Sequence, residues 1–379
     1  MGALGYRQVV GEAMPTPVFV PPLVPDLSRR QWLWGAAAAA LLGQGLAHAQ
    51  QRPEKPRLTL ALGGKTALYY LPLTIAEQLK YFSAEGLEVD LQDHAGDSLA
   101  QQALLQGQAD LAAGGFERVI LLRQHGVNCR AFAALGRAPQ LVFAVNARTL
   151  PNFKHLVQLK GRRVGVTALE ATSHWFARML LARAGVSPAD VEFVGVGTST
   201  AAVGALREGR IDAISDIDPV MTQLELRGDI RVVADTRSLR GTQELYGGPM
   251  PGGCVYAPQA FVVRYPNTAQ AVANAVVRAL KWLQTAGPSD IVRAVPESYM
   301  YGDRAIYLAA LEKAREALSP DGMAAEEGVA TAHRVVAQYP NGSAAVRSQA
   351  PGTTYTNDFA RRAKAKFQVS GLSRDATGA

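Results

Sequence analysis

The chain has 379 residues, of which 48% are hydrophobic and 19% are charged, and its formal net charge is +7. This composition excludes an intrinsically disordered chain, and the length is sufficient for two ordinary domains. The positive charge is spread thinly, and its densest cluster, RRAKAK at 361–366, has no aromatic residues between the charges. A solvated helix face is therefore favoured over a nucleic-acid-binding patch.

The first 49 residues are predicted to be a leader and an export signal. Arg29 and Arg30 precede an apolar run at 32–46, and the sequence AHA follows at 47–49. A basic region, a hydrophobic stretch and a small-residue cleavage site in this order are typical of a secretory signal. The paired arginines favour twin-arginine export, with general secretion as the alternative. We expect cleavage after Ala49 and a periplasmic mature protein.

The chain contains two cysteines, Cys129 and Cys254. An oxidising compartment would allow them to form a disulfide, and two buried free thiols are the alternative. Two isolated cysteines and six scattered histidines do not have the spacing of metal ligands. We therefore expect neither a metal nor a cofactor.

Short apolar strands alternate with amphipathic helices along the first half of the chain, and the pattern then starts again. In the first run, strands are predicted at 57–62, 87–93, 109–115, 129–135 and 141–146, with helices at 71–86, 98–106 and 116–125. In the second run, strands are predicted at 162–169, 191–197, 211–216 and 230–236, with helices at 173–184, 198–208 and 219–226. Such alternation predicts mostly parallel sheets covered by helices, an α/β fold.

One phrase occurs in both runs: ALLQGQAD at 103–110 and ALREGRID at 205–212. In each copy a helix is expected to end at a glycine, Gly107 or Gly209, in the left-handed conformation. A short connection then leads into a strand, whose aspartate is expected to face outward. Two copies predict two similar lobes rather than a repeat array, which needs more copies.

The last third of the chain is mainly helical. Residues 254–264 are strand-like, and helices are predicted at 268–285, 289–295, 304–317, 325–338 and 357–367. Because no third strand-rich run follows, we expect this tail to pack back on the first lobe. Lobe one would then comprise 50–145 and 256–379, and lobe two 146–255. The chain would cross between the lobes near 142–150 and 250–262, and these crossings would form a hinge beside a cleft.

Ligands of parallel sheets bind at the carboxyl ends of strands, beside the N-termini of helices. Hydroxyl, carboxylate and aromatic side chains occupy these positions in both runs. The simpler interpretation is that the polar ones cap helices, but as a set they predict one binding cleft. The predicted ligand-binding residues are Lys65, Tyr69, Tyr70, Ser98, Phe116, Glu117, Arg137, Thr172, Ser173, Thr198, Asp216 and Asp218.

Enzymatic motifs are weak. GVGTST at 195–200 resembles a dinucleotide-binding turn, but Thr200 stands where a third glycine is needed, so a tight strand-to-helix turn is favoured. The sequence has no P-loop, G-x-S-x-G or H-E-x-x-H motif. No catalytic residue is predicted.

Three segments together resemble the periplasmic solute-binding proteins of ABC importers. They are 65–91 (KTALYYLPLTIAEQLKYFSAEGLEVDL), 103–117 (ALLQGQADLAAGGFE) and 195–219 (GVGTSTAAVGALREGRIDAISDIDP). The resemblance is to the nitrate, sulfonate and taurine group, which is related to proteins that bind thiamine-pyrimidine precursors. It implies a two-lobed, type II-like α/β fold and one small ligand per monomer. It also implies delivery to a permease and ATPase complex in the inner membrane, without nucleic acid. Lys80 departs from the glycine that the group usually has before Tyr81-Phe82.

The ligand class stays open at this point. Sulfonate binders of the group usually have small and hydroxyl residues after the first strand of lobe two, where this chain has Glu170. Together with Glu117, Asp216 and Asp218, this carboxylate makes a sulfonate costly to bury. A cationic, aromatic or amide-bearing ligand is the alternative.

Two other functions are also possible from the resemblance. An enzyme related to the pyrimidine synthases of the same fold would need a reactive Lys65 or His174 in the cleft. A periplasmic sensor would present its ligand to a receptor rather than to a permease.

Overall fold

The computed structural model describes residues 52–338 and 344–372, so the predicted export signal lies outside the described residues. The strands are β1 (Arg57–Leu62), β2 (Glu88–Asp93), β3 (Leu111–Gly115), β4 (Cys129–Ala134), β5 (Val142–Asn146), β6 (Arg163–Val166), β7 (Glu192–Gly195), β8 (Ala213–Asp216), β9 (Ile230–Asp235) and β10 (Gly253–Pro258).

The helices cover these strands and form most of the tail. They are α1 (Leu71–Gln78), α2 (Tyr81–Ala84), α3 (Asp97–Leu105), α4 (Phe116–Leu121), α5 (Thr172–Arg183), α6 (Thr200–Arg207), α7 (Val220–Leu226), α8 (Leu239–Tyr246), α9 (Gln259–Arg264), α10 (Pro266–Thr285), α11 (Pro288–Ala294), α12 (Arg304–Ala314), α13 (Glu326–Gln338), α14 (Ala344–Arg347) and α15 (Asp358–Leu372). In the described part of the chain, no helix is both long enough and apolar enough to cross a membrane.

The strands form two five-stranded sheets of one design. The first has the order β2-β1-β3-β10-β4 and the second has the order β7-β6-β8-β5-β9. In each sheet the first three strands are parallel, and one strand, β10 or β5, runs antiparallel to both of its neighbours. The two-lobed α/β prediction is confirmed, with mixed sheets because each lobe receives one strand from a crossing of the chain.

The crossings lie earlier in the chain than predicted. β5 belongs to the second sheet, so the first crossing is 135–141 rather than 142–150, and the second is 236–252 rather than 250–262. The two segments run side by side: the Gln140 amide donates to the Thr236 carbonyl at 3.1 Å, and the Thr236 amide donates to the Leu141 carbonyl at 2.9 Å. Gly252 is needed here, since a Cβ would lie 2.1 Å from the carbonyl oxygen of Ala138.

The tail covers the first sheet. α10 packs against α1 and α15, and α13 packs against α4, whereas α12 reaches α7 on the second sheet. The strand predicted over 254–264 is confirmed up to Pro258, the end of β10, and is wrong beyond it, because residues 259–264 form helix α9. Pro258 pairs with Cys129, the first residue of β4, so the chain has no strand partner beyond this point and turns into a helix.

The repeated phrase has the same structural role in both lobes. Gly107 and Gly209 have φ angles of 70° and 72°, as predicted for left-handed caps. The aspartates do not face outward as expected: Asp110 Oδ2 accepts a hydrogen bond from the Thr59 amide at 3.2 Å, and Asp212 Oδ2 accepts one from the Arg163 amide at 3.1 Å. Each carboxylate thus satisfies a backbone donor of a strand of its own lobe, β1 for Asp110 and β6 for Asp212.

The two cysteines are free and buried, so of the two alternatives the structure supports buried thiols and contradicts the disulfide. Cys254 lies opposite Ala134 and Cys129 lies opposite Pro258, which places the thiols at opposite ends of the β4–β10 pair. Burial raises the pKa of Cys129 to about 12, which keeps this thiol protonated and unreactive.

Candidate functional site between the lobes

Three helix N-termini meet between the two sheets. α3 begins at Asp97 and α4 at Phe116 in lobe one, and α5 begins at Thr172 in lobe two. None of the three has a side-chain cap from the residue that precedes it. Asp97 instead caps α5 of the opposite lobe, because its Oδ1 accepts the Thr172 amide hydrogen at 3.0 Å. This one hydrogen bond therefore both caps α5 and joins the two lobes.

Two carboxyl groups share the Thr172 hydroxyl. Thr172 Oγ1 is in hydrogen-bond contact with Asp97 Oδ2 and lies 2.5 Å from Glu117 Oε1. A hydroxyl carries one hydrogen and can donate to one of these oxygens only, so the other contact needs a proton on a carboxyl group. The two contacts therefore require one proton on a carboxyl group in addition to the hydroxyl hydrogen of Thr172.

We assign this proton to Glu117. Burial, and second the negative charge of Asp97, raise the pKa of Glu117 from 4.5 to about 7. Asp97 also accepts the amide hydrogen of Gly115 at 3.3 Å. Protonated Glu117 donates to Thr172, and Thr172 donates to Asp97.

A cavity of about 20 Å³ adjoins this cluster. That volume holds about one water molecule, so a larger solute enters only when the lobes separate. The cavity is lined by Gly63, Tyr69, Tyr70, Asp97, Leu141, Thr167, Thr172, Ser173 and Ile217.

The two tyrosines form an aromatic wall beside the carboxyl groups. The rings of Tyr69 and Tyr70 meet edge to face, with centroids 5.1 Å apart. The Tyr69 hydroxyl is buried and finds no hydrogen-bond partner among the described residues. Burial raises its pKa well above the ordinary value, so this hydroxyl stays neutral. An unpartnered buried hydroxyl is costly, and a polar group of a bound solute would remove that cost.

The lobes are closed upon each other. Ser98 Oγ of lobe one donates to the Leu169 carbonyl of lobe two at 2.8 Å. The Tyr301 hydroxyl donates to the Thr198 carbonyl of lobe two at 2.5 Å and lies 2.7 Å from Thr66 Oγ1 of lobe one. The sequence did not point to Tyr301, because it lies in the helical tail far from either strand run.

The structure brings together part of the predicted set. Tyr69, Tyr70, Thr172 and Ser173 line the cavity, and Glu117 contacts Thr172. Ser98 and Thr198 bridge the lobes, as described above.

The remaining predicted residues have other partners. Lys65 is ion-paired with Glu77 at 2.9 Å, and Phe116 is buried with its ring edge to face with Tyr355. Arg137 is exposed and donates to the Glu316 carbonyl at 2.7 Å, so it does not lie with the cleft residues.

The two predicted aspartates of lobe two differ from each other. Asp218 is buried in an ion pair with Arg237 at 3.4 Å and accepts the Thr222 amide hydrogen, which is a structural role. Asp216 is fully buried; its Oδ1 accepts the Ile217 amide hydrogen, while its Oδ2 has no partner within the described chain. Burial raises the pKa of Asp216 well above its ordinary value.

Asp97 and Thr167 are site residues that the predicted set lacks. Thr167 directly follows β6 and Asp97 lies four residues after β2, at the start of α3, so position near a strand end was a sufficient indication for them. Asp97 bonds to Thr172 of the opposite lobe, a contact that leaves no trace in the local pattern, whereas Thr167 bonds to Ser173 of its own lobe.

Comparison with known proteins agrees with this architecture. A protein of solved structure from Bordetella bronchiseptica RB50 is 48% identical, with 84% of this chain and 100% of that chain covered and a TM-score of 0.82. YtlA of Bacillus subtilis (strain 168), a proposed binding protein, is 23% identical over 266 residues, which are 69% of this chain and 77% of YtlA.

The fold extends to more distant proteins. The periplasmic nitrate-binding protein NrtA from Synechocystis PCC 6803 is 15% identical, with 84% of this chain and 91% of NrtA covered and a TM-score of 0.63. The resemblance in fold to periplasmic solute-binding proteins, inferred from the sequence, is thereby confirmed. The model of one family, described as NMT1/THI5 like, matches residues 67–286, more than half of the sequence. The chain belongs to the NMT1/THI5-like family.

Proposed function

We propose that this protein is the periplasmic solute-binding component of an ABC-type uptake system. It captures one small organic solute between its lobes and delivers it to a permease and ATPase complex in the inner membrane. The observation that carries the proposal is the small cavity between the closed lobes, which we call the chamber. Asp97, Glu117 and Thr172 meet there beside the Tyr69 hydroxyl, which has no partner among the described residues. Lobes that close by burying polar groups suit a ligand that pairs with those groups.

The chamber favours a solute that donates hydrogen bonds. A nitrate or a sulfonate would bring a negative charge to Asp97 and Glu117, and an unpaired buried charge is costly. An amine, amidine or amide would instead donate to these oxygens. A flat solute would also fit against the rings of Tyr69 and Tyr70. We infer a small neutral or cationic ligand with N–H groups and an aromatic or planar body.

Two observations disfavour the enzyme alternative. Burial alone would lower the pKa of Lys65, but its hydrogen bond to Glu77 and the nearby charges raise that pKa, so the amine is held charged rather than nucleophilic. Burial lowers the pKa of His174 to about 4, and its Nδ1 already accepts the Glu170 amide hydrogen at 2.8 Å. Neither candidate has a reactive group directed at the chamber.

Export to the periplasm remains part of the proposal. Arg29-Arg30 and the AHA sequence at 47–49 support a mature N-terminus at Gln50. Sequencing the N-terminus of the protein from the host periplasm tests this, and an intact leader in the cytoplasmic fraction contradicts it.

The function is tested by identifying the solute. Native protein isolated from the host periplasm is denatured, and the released small molecules are identified by mass spectrometry. We expect one N–H-bearing planar compound that binds again to the refolded protein at one per chain and is recovered unchanged. Selective binding of nitrate or taurine would contradict the ligand class, and recovery of a converted product would contradict the binding function. A deletion strain that keeps uptake but loses a transcriptional response would favour the sensor.

A further inference from the structure

A second concave region lies between the lobes, next to the contact of Ser98 with Leu169. It is a groove of about 490 Å³, within the usual range for a small-molecule site. One wall comes from α3, α4 and His125 in lobe one, and the other comes from Leu169 through α5 in lobe two. The groove is lined by Ser98, Leu99, Gln101, Gln102, Leu105, Arg118, Leu121, His125, Leu169, Glu170, His174, Trp175 and Arg178.

The groove has an exposed apolar surface. Leu99, Leu105 and Leu169 line it and are exposed to 42%, 40% and 54%. A single exposed leucine is ordinary, but three in one groove of this size form an apolar patch. Trp175 lies in the same groove.

Arg118 is the unusual polar residue of the groove. It is only 6% exposed, and its guanidinium reaches across to the carbonyl of Glu170 in lobe two. Its Nε is buried without a partner, and no carboxylate within the described residues forms an ion pair with it. Its sequence neighbour Glu117 has a pKa of about 7 and therefore only partly balances this charge near neutral pH. A buried guanidinium without a full counter-charge is costly unless an anion supplies one.

The other charges of the groove do not supply that anion. Arg178 adds a second positive charge and lies 3.6 Å from Glu170, whose side chain is 73% exposed. Burial lowers the pKa of His174 to about 4, so its ring is neutral. The exposed Glu170 carboxylate is paired with Arg178, so it does not neutralise the buried Arg118.

We propose that this groove is a second binding site, for a small organic anion with an apolar tail. The anionic group pairs with Arg118, and the tail lies along Leu99, Leu105 and Leu169. Because the walls belong to different lobes, an anion bound here stabilises the closed arrangement and thereby strengthens solute binding in the chamber. The anion site does not depend on the chemistry of that solute, whose proposed charge preference is the opposite.

The probe is octanoate, with octylammonium and acetate as controls for charge and tail. Binding to the full-length mature protein is followed by Trp175 fluorescence and by calorimetry. We expect octanoate to bind at one per chain, and both controls to bind at least about ten-fold more weakly. Trp175→Phe should remove the fluorescence change but keep the calorimetric signal, which locates the site.

Arg118→Gln should weaken octanoate binding by roughly 30-fold. Since this residue also joins the lobes, a second variant guards against misfolding: Leu169→Asn should weaken octanoate by roughly five-fold. Its matched control is Leu226→Asn, at a leucine of lobe two that is 56% exposed and lies outside the groove; octanoate binding should not change.

Equal binding of octanoate and octylammonium, or equal effects of the two leucine variants, would overturn the proposal. A failure to bind octanoate would also overturn the proposal. This includes the outcome in which the protein sediments as a dimer and Leu169→Asn dissociates that dimer. In that case the groove would be a contact between two copies of the chain.

Discussion

Replacing Glu117 with glutamine should remove a pH dependence from the stability of this protein. The Glu117 pKa is about 7 in the folded protein, against an ordinary value of 4.5. Because the folded pKa is the higher one, the protonated side chain stabilises the fold below pH 4.5, and this contribution is lost as pH rises through 7. At about 1.4 kcal/mol for each pKa unit, the loss amounts to about 3 kcal/mol. Glutamine keeps the shape of the side chain and cannot ionise, so the variant does not lose this stability as the pH rises.

The assay is thermal unfolding of ligand-free protein at pH 5 and pH 9. The melting temperature of Glu117→Gln, measured relative to the unmodified protein, should rise by roughly 5 °C between the two pH values. Taking this difference cancels the contributions of the other titrating groups. Glu244→Gln, at an exposed carboxylate paired with Arg240, is the control and should show no such change. If the two variants behave alike, the shared proton at Thr172 does not exist as described.

Three further predictions concern the fold and the closed arrangement. Gly107→Ala should destabilise the protein by about 1 kcal/mol because φ is 70° there, whereas Gly204→Ala inside α6 should stabilise it by a similar amount. Urea titrations measure both changes, and a stabilising effect of Gly107→Ala would contradict the left-handed cap. Tyr301→Phe removes a hydroxyl that bonds to lobe two and contacts lobe one, so small-angle scattering should find the ligand-free variant more open and solute affinity should fall roughly five-fold; an unchanged radius of gyration would contradict this role. Cys129 and Cys254 are buried and free, so a thiol reagent should modify both in denaturant and neither in native buffer; rapid labelling of the native protein would contradict their burial.

The repeat could be predicted in detail because its causes are local. Glycine at 107 and 209 is required by a positive φ, and this requirement can be read from the spacing alone. The direction of Asp110 and Asp212 could not be predicted, since their partners are backbone amides of a strand some fifty residues earlier in each lobe.

Strand pairing was the main limit for the fold. The apolar runs at β5 and β10 were identified, but the sheet that each joins depends on contacts distant in sequence. This is why the crossings were placed several residues late. The run QAFVVR at 259–264 has strand-like residues and becomes a helix because the neighbouring strand has ended.

The candidate site was predicted where position along a strand is decisive. Thr172 and Glu117 follow strand ends, and the structure joins them at 2.5 Å. Asp218 also follows a strand and Arg137 lies near the first crossing, but their partners, Arg237 and the Glu316 carbonyl, lie elsewhere. Tyr301 and the groove at Arg118 depend on how the two lobes meet, which no local pattern encodes.

The central claim is that a solute binds between the lobes against Asp97. Calorimetric titration of the solute that co-purifies with the native protein, into the unmodified protein and into Asp97→Asn, tests it most directly. We expect one solute per chain and a loss in affinity of tens- to thousands-fold in Asp97→Asn, as for removal of a buried charged partner. The control Asp358→Asn, at an aspartate whose side chain is 67% exposed, should bind as the unmodified protein does. Equal affinity of Asp97→Asn and the unmodified protein would contradict the account.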